Sequence, residues 1–270
     1  MKRIAMLLAL LPLLGMHGQF TVPFAARPVV AVAPTITYVA AASTSSYGGS
    51  TICTLHPTFT SGQLAIVVIN DGYQSVNIST ATLTVSDGTN TYTQISSFPY
   101  LDASTHSKTS AWWTKPATGT PTINVSASVS LGQLNCAVVG YTSSSGWKAA
   151  PVDQVAPVDL TTGTSLASYI CPTTFAMSSG TTGTTSQATE LELGIFSGVT
   201  SSGTATFTIA GTSGFTMRKS YASAGAFVGV VDTTSSSAGT FTATANWCAV
   251  TGSTGTTTGG SGSIVTLMPN

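Results

Sequence analysis

Leu64-Ala65-Ile66-Val67-Val68-Ile69 (LAIVVI) is an apolar run without polar alternation. A strand with one wet face alternates apolar and polar residues, so a continuous run of this length reads as a strand buried on both faces. Asn70-Asp71-Gly72 follow it and are turn formers. A second run, Leu191-Glu192-Leu193-Gly194-Ile195-Phe196 (LELGIF), has the same surroundings. Ile52-Cys53 and Phe59 precede the first run; Ile170-Cys171 and Phe175 precede the second.

The likeness continues downstream. Ser79–Ser97 (STATLTVSDGTNTYTQISS) aligns with Ser202–Ser220 (SGTATFTIAGTSGFTMRKS). Ala81, Thr82, Leu83, Thr84 and Val85 fall on Ala205, Thr206, Phe207, Thr208 and Ile209. Tyr92-Thr93 falls on Phe215-Thr216 after a one-residue gap. Thr122–Ala127 (TINVSA) resembles Thr240–Ala245 (TFTATA), and Cys136-Ala137-Val138 resembles Cys248-Ala249-Val250. Ala81–Val85, Ser110–Lys115 (SAWWTK), Leu134–Tyr141 and Ser263–Met268 (SIVTLM) read as further strands, and no long window carries a helical period. Asp87-Gly88 with Asn90 marks a hairpin turn. The reading predicts an all-β fold, an antiparallel β-sandwich built from two similar halves, approximately 50–147 and 168–268, within one domain over 35–270. Each half supplies about four or five strands and buries its apolar face on the other half. The join lies at 148–168, where PVDQVAP and TTGTS interrupt the pattern, and 251–262 (TGSTGTTTGGSG) reads as a long loop.

Lys2-Arg3 ahead of an apolar Ile4–Leu14 stretch has the form of a secretory leader, placed at 1–19. Pro23, Pro28 and Pro34 make 20–34 an extended, proline-containing lead-in. The expected location is therefore extracellular, secreted or at the cell surface. Charged residues are 6% of the chain, with Lys+Arg and Asp+Glu at 8 each, against roughly 25% in ordinary domains. Hydroxyls replace charges on the surface. Scattered basic residues argue against nucleic acid and anionic membranes, which need clustered Lys or Arg. No integral span is expected once the leader is removed.

Several segments together resemble a loosely defined family of secreted bacterial β-sandwich domains without a settled function. They are SGQLAIVV (61–68), SDGTNTYT (86–93), SAWWTK (110–115), GYTSSSG (140–146), PVDQ (151–154), ATELELGIF (188–196) and GSIVTL (262–267). The resemblance implies a jelly-roll-like sandwich and extracellular display. It transfers no catalytic or binding residue, and the four cysteines and the 251–262 loop depart from its usual pattern.

The candidate chemistry is sparse. Glu190 and Glu192, two apart on a strand, project from one face as glycoside-active acids do. Gln63 and Ala65 stand at the matching places in the first half, and no further acid follows on that face, so an edge or strand-start pair is the plainer reading. His106 near Asp102 lacks a nucleophile elbow, and no C-x-x-C exists for zinc. Asp71, Asp87 and Asp102 lie in loops where calcium would find oxygen ligands, or where they simply form turns. No catalytic residue, metal site or cofactor is assigned. Trp113 and Trp147 are the candidate ligand-stacking aromatics, against core filling. Symmetric duplication favours the disulfides Cys53–Cys136 and Cys171–Cys248. The rivals are Cys53–Cys248 with Cys136–Cys171, and free buried thiols. The expected function is a non-enzymatic structural, adhesive or display module whose partner is a glycan or another extracellular protein. The alternatives are a carbohydrate-binding module and, less favoured, a glycoside-active enzyme.

Overall fold

The LAIVVI run lies in a strand whose two faces meet two different sheets. The computed structural model describes residues 32–47, 52–72, 81–95, 100–102, 107–116, 118–129, 132–159, 166–200, 207–212, 214–223, 225–251 and 257–270; the leader at 1–19 and most of the lead-in at 20–34 lie outside them. The first half holds β1 (Ile36–Tyr47), β2 (Ile52–Leu55), β3 (Leu64–Gly72), β4 (Leu83–Ser86), β5 (Thr93–Gln94), β6 (Tyr100–Asp102), β7 (Ser107–Thr114), β8 (Ile123–Ala127) and β9 (Gln133–Ser143). The second holds β10 (Trp147–Asp159), a short 3-10 turn (Leu166–Tyr169), β11 (Phe175–Thr181), β12 (Leu191–Thr200), β13 (Phe207–Gly211), β14 (Thr216–Ser223), β15 (Ala226–Thr234), β16 (Thr242–Ala249) and β17 (Thr257–Pro269).

Both halves repeat one topology. The large sheet of the first half runs β1-β9-β3-β7-β5, with β6 also on β7; that of the second runs β10-β17-β12-β15-β14. The small sheets are β2-β8-β4 and β11-β16-β13. Strand for strand, β1 matches β10, β3 matches β12, β7 matches β15 and β9 matches β17. Neighbouring strands within every sheet are antiparallel. Within a half the first strand pairs with the last in the large sheet and the second with the next-to-last in the small sheet, a jelly-roll-like order.

The fold is thus an antiparallel β-sandwich of two similar halves, as the sequence indicates, but it has four layers where a single two-sheet sandwich was expected. On β3, Ala65, Val67 and Ile69 pack with Leu55, Leu83, Ile123 and Val125 of the small sheet. Leu64, Ile66 and Val68 pack instead with Leu191, Leu193, Ile195 and Val230 of the other half. Phe196 and Val231 then meet Met177, Ala245 and Trp247 of the second small sheet. A strand apolar on both faces needs cover on both, so each half closes its own sandwich and a third core forms between the two. That central core also holds a polar stretch. Asn70 Nδ2 donates to the carbonyls of Gly198 at 3.1 Å and Phe227 at 3.0 Å. The Thr109 hydroxyl bonds those of Ser197 and, at 2.6 Å, Ser261.

Across the central core β1 and β9 lie over β14, β3 lies over β12 and β15, and β7 over β12 and β17. The two strand orders run oppositely, as a two-fold axis between β3 and β12 would place them. One seam of the central core lies where β1 crosses β14; the strands in the matching positions of the other halves are β10 and β5.

Three local expectations need correction. PVDQVAP does not break the chain: it lies inside β10. That strand is a sheet edge whose register shifts between Trp147 and Val152 and again before Val155, and edges and bulges are where a sheet tolerates proline. The Asp87-Gly88 turn is present, with Gly88 at φ 77°. It joins β4 to β5 in opposite sheets and so makes an arch, not a hairpin. The last strand begins at Thr257, inside the stretch read as a loop.

The disulfides are Cys53–Cys136 and Cys171–Cys248, with Cα atoms 6.5 and 5.1 Å apart. This is the pairing that duplication favours, yet the two bonds are not equivalent. Cys136 lies on β9, which matches β17, whereas Cys248 lies on β16, which matches β8. The first bond ties the small sheet to the large one. The second stays beside the small sheet, where Cys171 N donates to Ala249 O at 3.0 Å.

Candidate functional site

Glu190 and Glu192 begin the middle strand of the second large sheet, not an edge, and they face the small sheet of that half. Their exposures are 0% and 2%. Gln187 N donates to Glu190 Oε1 at 3.3 Å, while Glu190 Oε2 and Glu192 Oε1 have no partner. Burial raises both carboxyls to about 7; Asp153 adds to the rise at Glu190, and Glu190 adds to that at Glu192. Asp153, on β10, is the third acid that inspection of one strand missed. Its Oδ2 accepts from Ser186 N at 2.6 Å. The two glutamates are interior, and Asp153 joins them from the half-buried edge strand β10.

Of the three acids read as loop residues only Asp87 lies in a turn; Asp71 lies within β3 and Asp102 within β6. The Asp87 carboxylate is consumed by its own turn, accepting from Thr89 N, Asn90 N, Asn90 Nδ2 and the Tyr92 hydroxyl at 2.9, 2.7, 2.6 and 3.0 Å. Burial pushes this carboxyl up, but the Asn90 and Thr89 donors outweigh it and hold it below the usual range. Asp71 is buried opposite Lys108, whose Nζ donates to Ala81 O at 2.7 Å. The side chain of Asp102, and His106, lie outside the described residues. Among the described residues no three His, Cys, Asp or Glu groups converge as metal ligands.

The aromatic candidates separate. Trp147 opens β10 and is 4% exposed, its ring in the central core and its Nε1 donating to Tyr141 O at 3.3 Å. That burial removes it as a stacking platform. Trp113 is half-buried against the same core.

The polar geometry that the sequence did not announce lies at the β1–β14 seam. A cavity of about 170 Å³ there is lined by Tyr38, Tyr141, Thr216, Arg218, Asp232 and Thr233 among others. Arg218 Nε donates to both Asp232 oxygens at 2.8 Å. Its Cζ lies 4.8 Å from the centroid of the Tyr38 ring, a cation–π distance. Tyr38 meets Tyr141 edge-on with centroids 5.8 Å apart. Arg218 is the extra residue of a β-bulge, since the ladder passes from Met217–Val231 to Lys219–Val230. Bulges re-aim side chains, and this one turns the guanidinium over the neighbouring sheet. The Tyr141 hydroxyl is buried beside the Asp232 carboxylate. Burial first, then the Asp232 charge and a hydrogen bond to that carboxylate, raise its pKa well above the usual value. The available signals were an acid ending the apolar run Ala226–Val231 and the adjacent basic residues Arg218-Lys219.

No protein-family model, curated protein or solved structure is significantly similar to this chain. The class is therefore defined by structure alone: a disulfide-bonded, all-β, double jelly-roll-like sandwich. Its disulfides, and the lack of any helix among the described residues long and apolar enough to cross a membrane, are compatible with an extracellular protein.

Proposed function

We propose that this chain is a secreted, non-enzymatic β-sandwich module with a structural, adhesive or surface-display role, whose partner is another extracellular protein or a glycan. The observation that carries this reading is the placement of its acids. Glu190 and Glu192, the pair best suited to glycoside chemistry, sit inside a sandwich at 0% and 2% exposure. Asp87 is spent on a turn. The leader-like Lys2–Leu14 pattern, the disulfide in each half and a surface of hydroxyls in place of charges support export and persistence outside the cell. The test is cell fractionation and surface labelling of the protein in its native host, with adhesion of beads coated in the purified domain. Surface exposure, oxidised cysteines and adhesion without glycan cleavage are expected. A cytosolic protein with reduced thiols, or polysaccharide hydrolysis lost in Glu190→Gln, overturns the reading.

A further inference from the structure

We propose that the seam where β1 and β9 cross β14 and β15 is a binding site for one small neutral polyhydroxy molecule, a single sugar residue. This stands apart from the display role: either reading can fail without the other.

The two seams of the central core show that the fold does not need polar groups there. Register establishes the matching positions. Leu64 pairs with Tyr141 and Leu191 with Leu267. Ile66 pairs with Trp113 and Leu193 with Asp232. Tyr38 pairs with Tyr141, and Val152 with Leu267. Hence Tyr38, Tyr141 and Asp232 stand where Val152, Leu267 and Trp113 stand at the other seam. Ile95, beside Ala111, takes the place of the Arg218-Lys219 bulge beside Val230. All four counterparts belong to or pack on the central apolar core. At one seam these positions carry Val152, Leu267, Trp113 and Ile95, and at its equivalent they carry two tyrosines and an ion pair that line a cavity. Desolvating such groups lowers stability relative to an apolar filling, so their presence is explained by what they bind.

The chemistry selects the ligand. Arg218 is fixed by Asp232 and Tyr38, and among the described residues its hydrogen bonds all leave from Nε, so the Nη donors are open. Each Asp232 oxygen retains acceptor capacity beyond the Nε bond. The Tyr141 hydroxyl, 1% exposed and beside Asp232, also lines the cavity and retains acceptor capacity. The pair carries no net charge: an anion would face Asp232 and a cation would face Arg218. Adjacent hydroxyls of a polyol satisfy both, donating to the carboxylate while accepting from the guanidinium, with Thr216 and Thr233 also lining the cavity. Drug-sized molecules need about 300–1,000 Å³, so a volume near 170 Å³ admits one sugar ring and not a chain.

The experiment is titration calorimetry and ligand-observed NMR on the purified disulfide-bonded protein. The probes are glucose, galactose, mannose and N-acetylglucosamine, with acetate and phosphate as anion controls. Saturable binding of at least one sugar, in about the millimolar range, is expected. Tyr141→Phe should weaken it roughly tenfold, the loss of one hydrogen bond to the sugar. The double variant Arg218→Met/Asp232→Leu, which copies the apolar seam, should abolish it. Absence of saturable binding for all four sugars overturns the proposal. So does sugar binding that survives the double variant or is unaffected by Tyr141→Phe, and so does tighter binding of phosphate or acetate.

Discussion

Trp113 and Asp232 occupy the same position in the two halves, one opposite Ile66 and the other opposite Leu193. Asp232 is 3% exposed and its partner Arg218 keeps 30%. Breaking such a pair from one side strands a buried charge. Arg218→Met alone should therefore destabilise the protein by about 2–3 kcal/mol, below the ~3–5 of a fully buried pair. Arg218→Met with Asp232→Leu should recover most of that loss. Urea unfolding of the wild type, the single and the double variant checks it; equal losses in single and double would contradict the pairing argument.

The buried acids set a pH dependence. Glu190 and Glu192 rise from 4.5 to about 7, and Asp71 from 3.8 to about 7, burial being the first cause in each. A folded pKa above the unfolded one means that the native state holds more protons between those values, so stability falls as pH rises through the window. The protein should be more stable at about pH 5 than at about pH 8, by on the order of 2 kcal/mol or more. Glu190→Gln/Glu192→Gln should flatten most of the slope, and Asp71→Asn part of the remainder. A flat or rising profile in the wild type would refute this.

The two disulfides close loops of similar size, with separations of 83 and 77 residues. Chain-entropy reasoning gives each about 4 kcal/mol. The Cys53→Ser/Cys136→Ser and Cys171→Ser/Cys248→Ser variants should lose comparable stability in denaturant unfolding. A clear excess for the first pair would show that tying small sheet to large sheet outweighs loop closure.

Gly194 stands where the first half has Val67, and a methyl added there meets Ala243 Cβ and Val231 Cγ2 at 2.6 Å. Gly194→Ala should cost about 1–3 kcal/mol by overpacking, read as a lowered melting temperature. A neutral result would mean that the second sandwich opens easily.

The strand pattern carried the fold. LAIVVI and LELGIF fall on β3 and β12, ATLTV and TATFTI lead into β4 and β13, and TINVSA and TFTATA overlap β8 and β16. The layer count was missed: the unalternating run reads as buried on both faces, yet a single two-sheet sandwich was expected, and two buried faces require two covers. Cys136-Ala-Val and Cys248-Ala-Val misled because three-residue likeness ignores topology. The seam site was illegible because no local motif joins Tyr38, Tyr141, Arg218 and Asp232; only the ladder register brings them to one place.

The two-fold relation between the halves has a last consequence. In a homodimer every substitution appears twice, so a symmetric interface with two seams cannot specialise one and preserve the other. Joining both copies in one chain lifts that restriction. A mutation at β14 has no obligatory echo at β5, so the apolar seam retains cohesion while its twin is free to diverge.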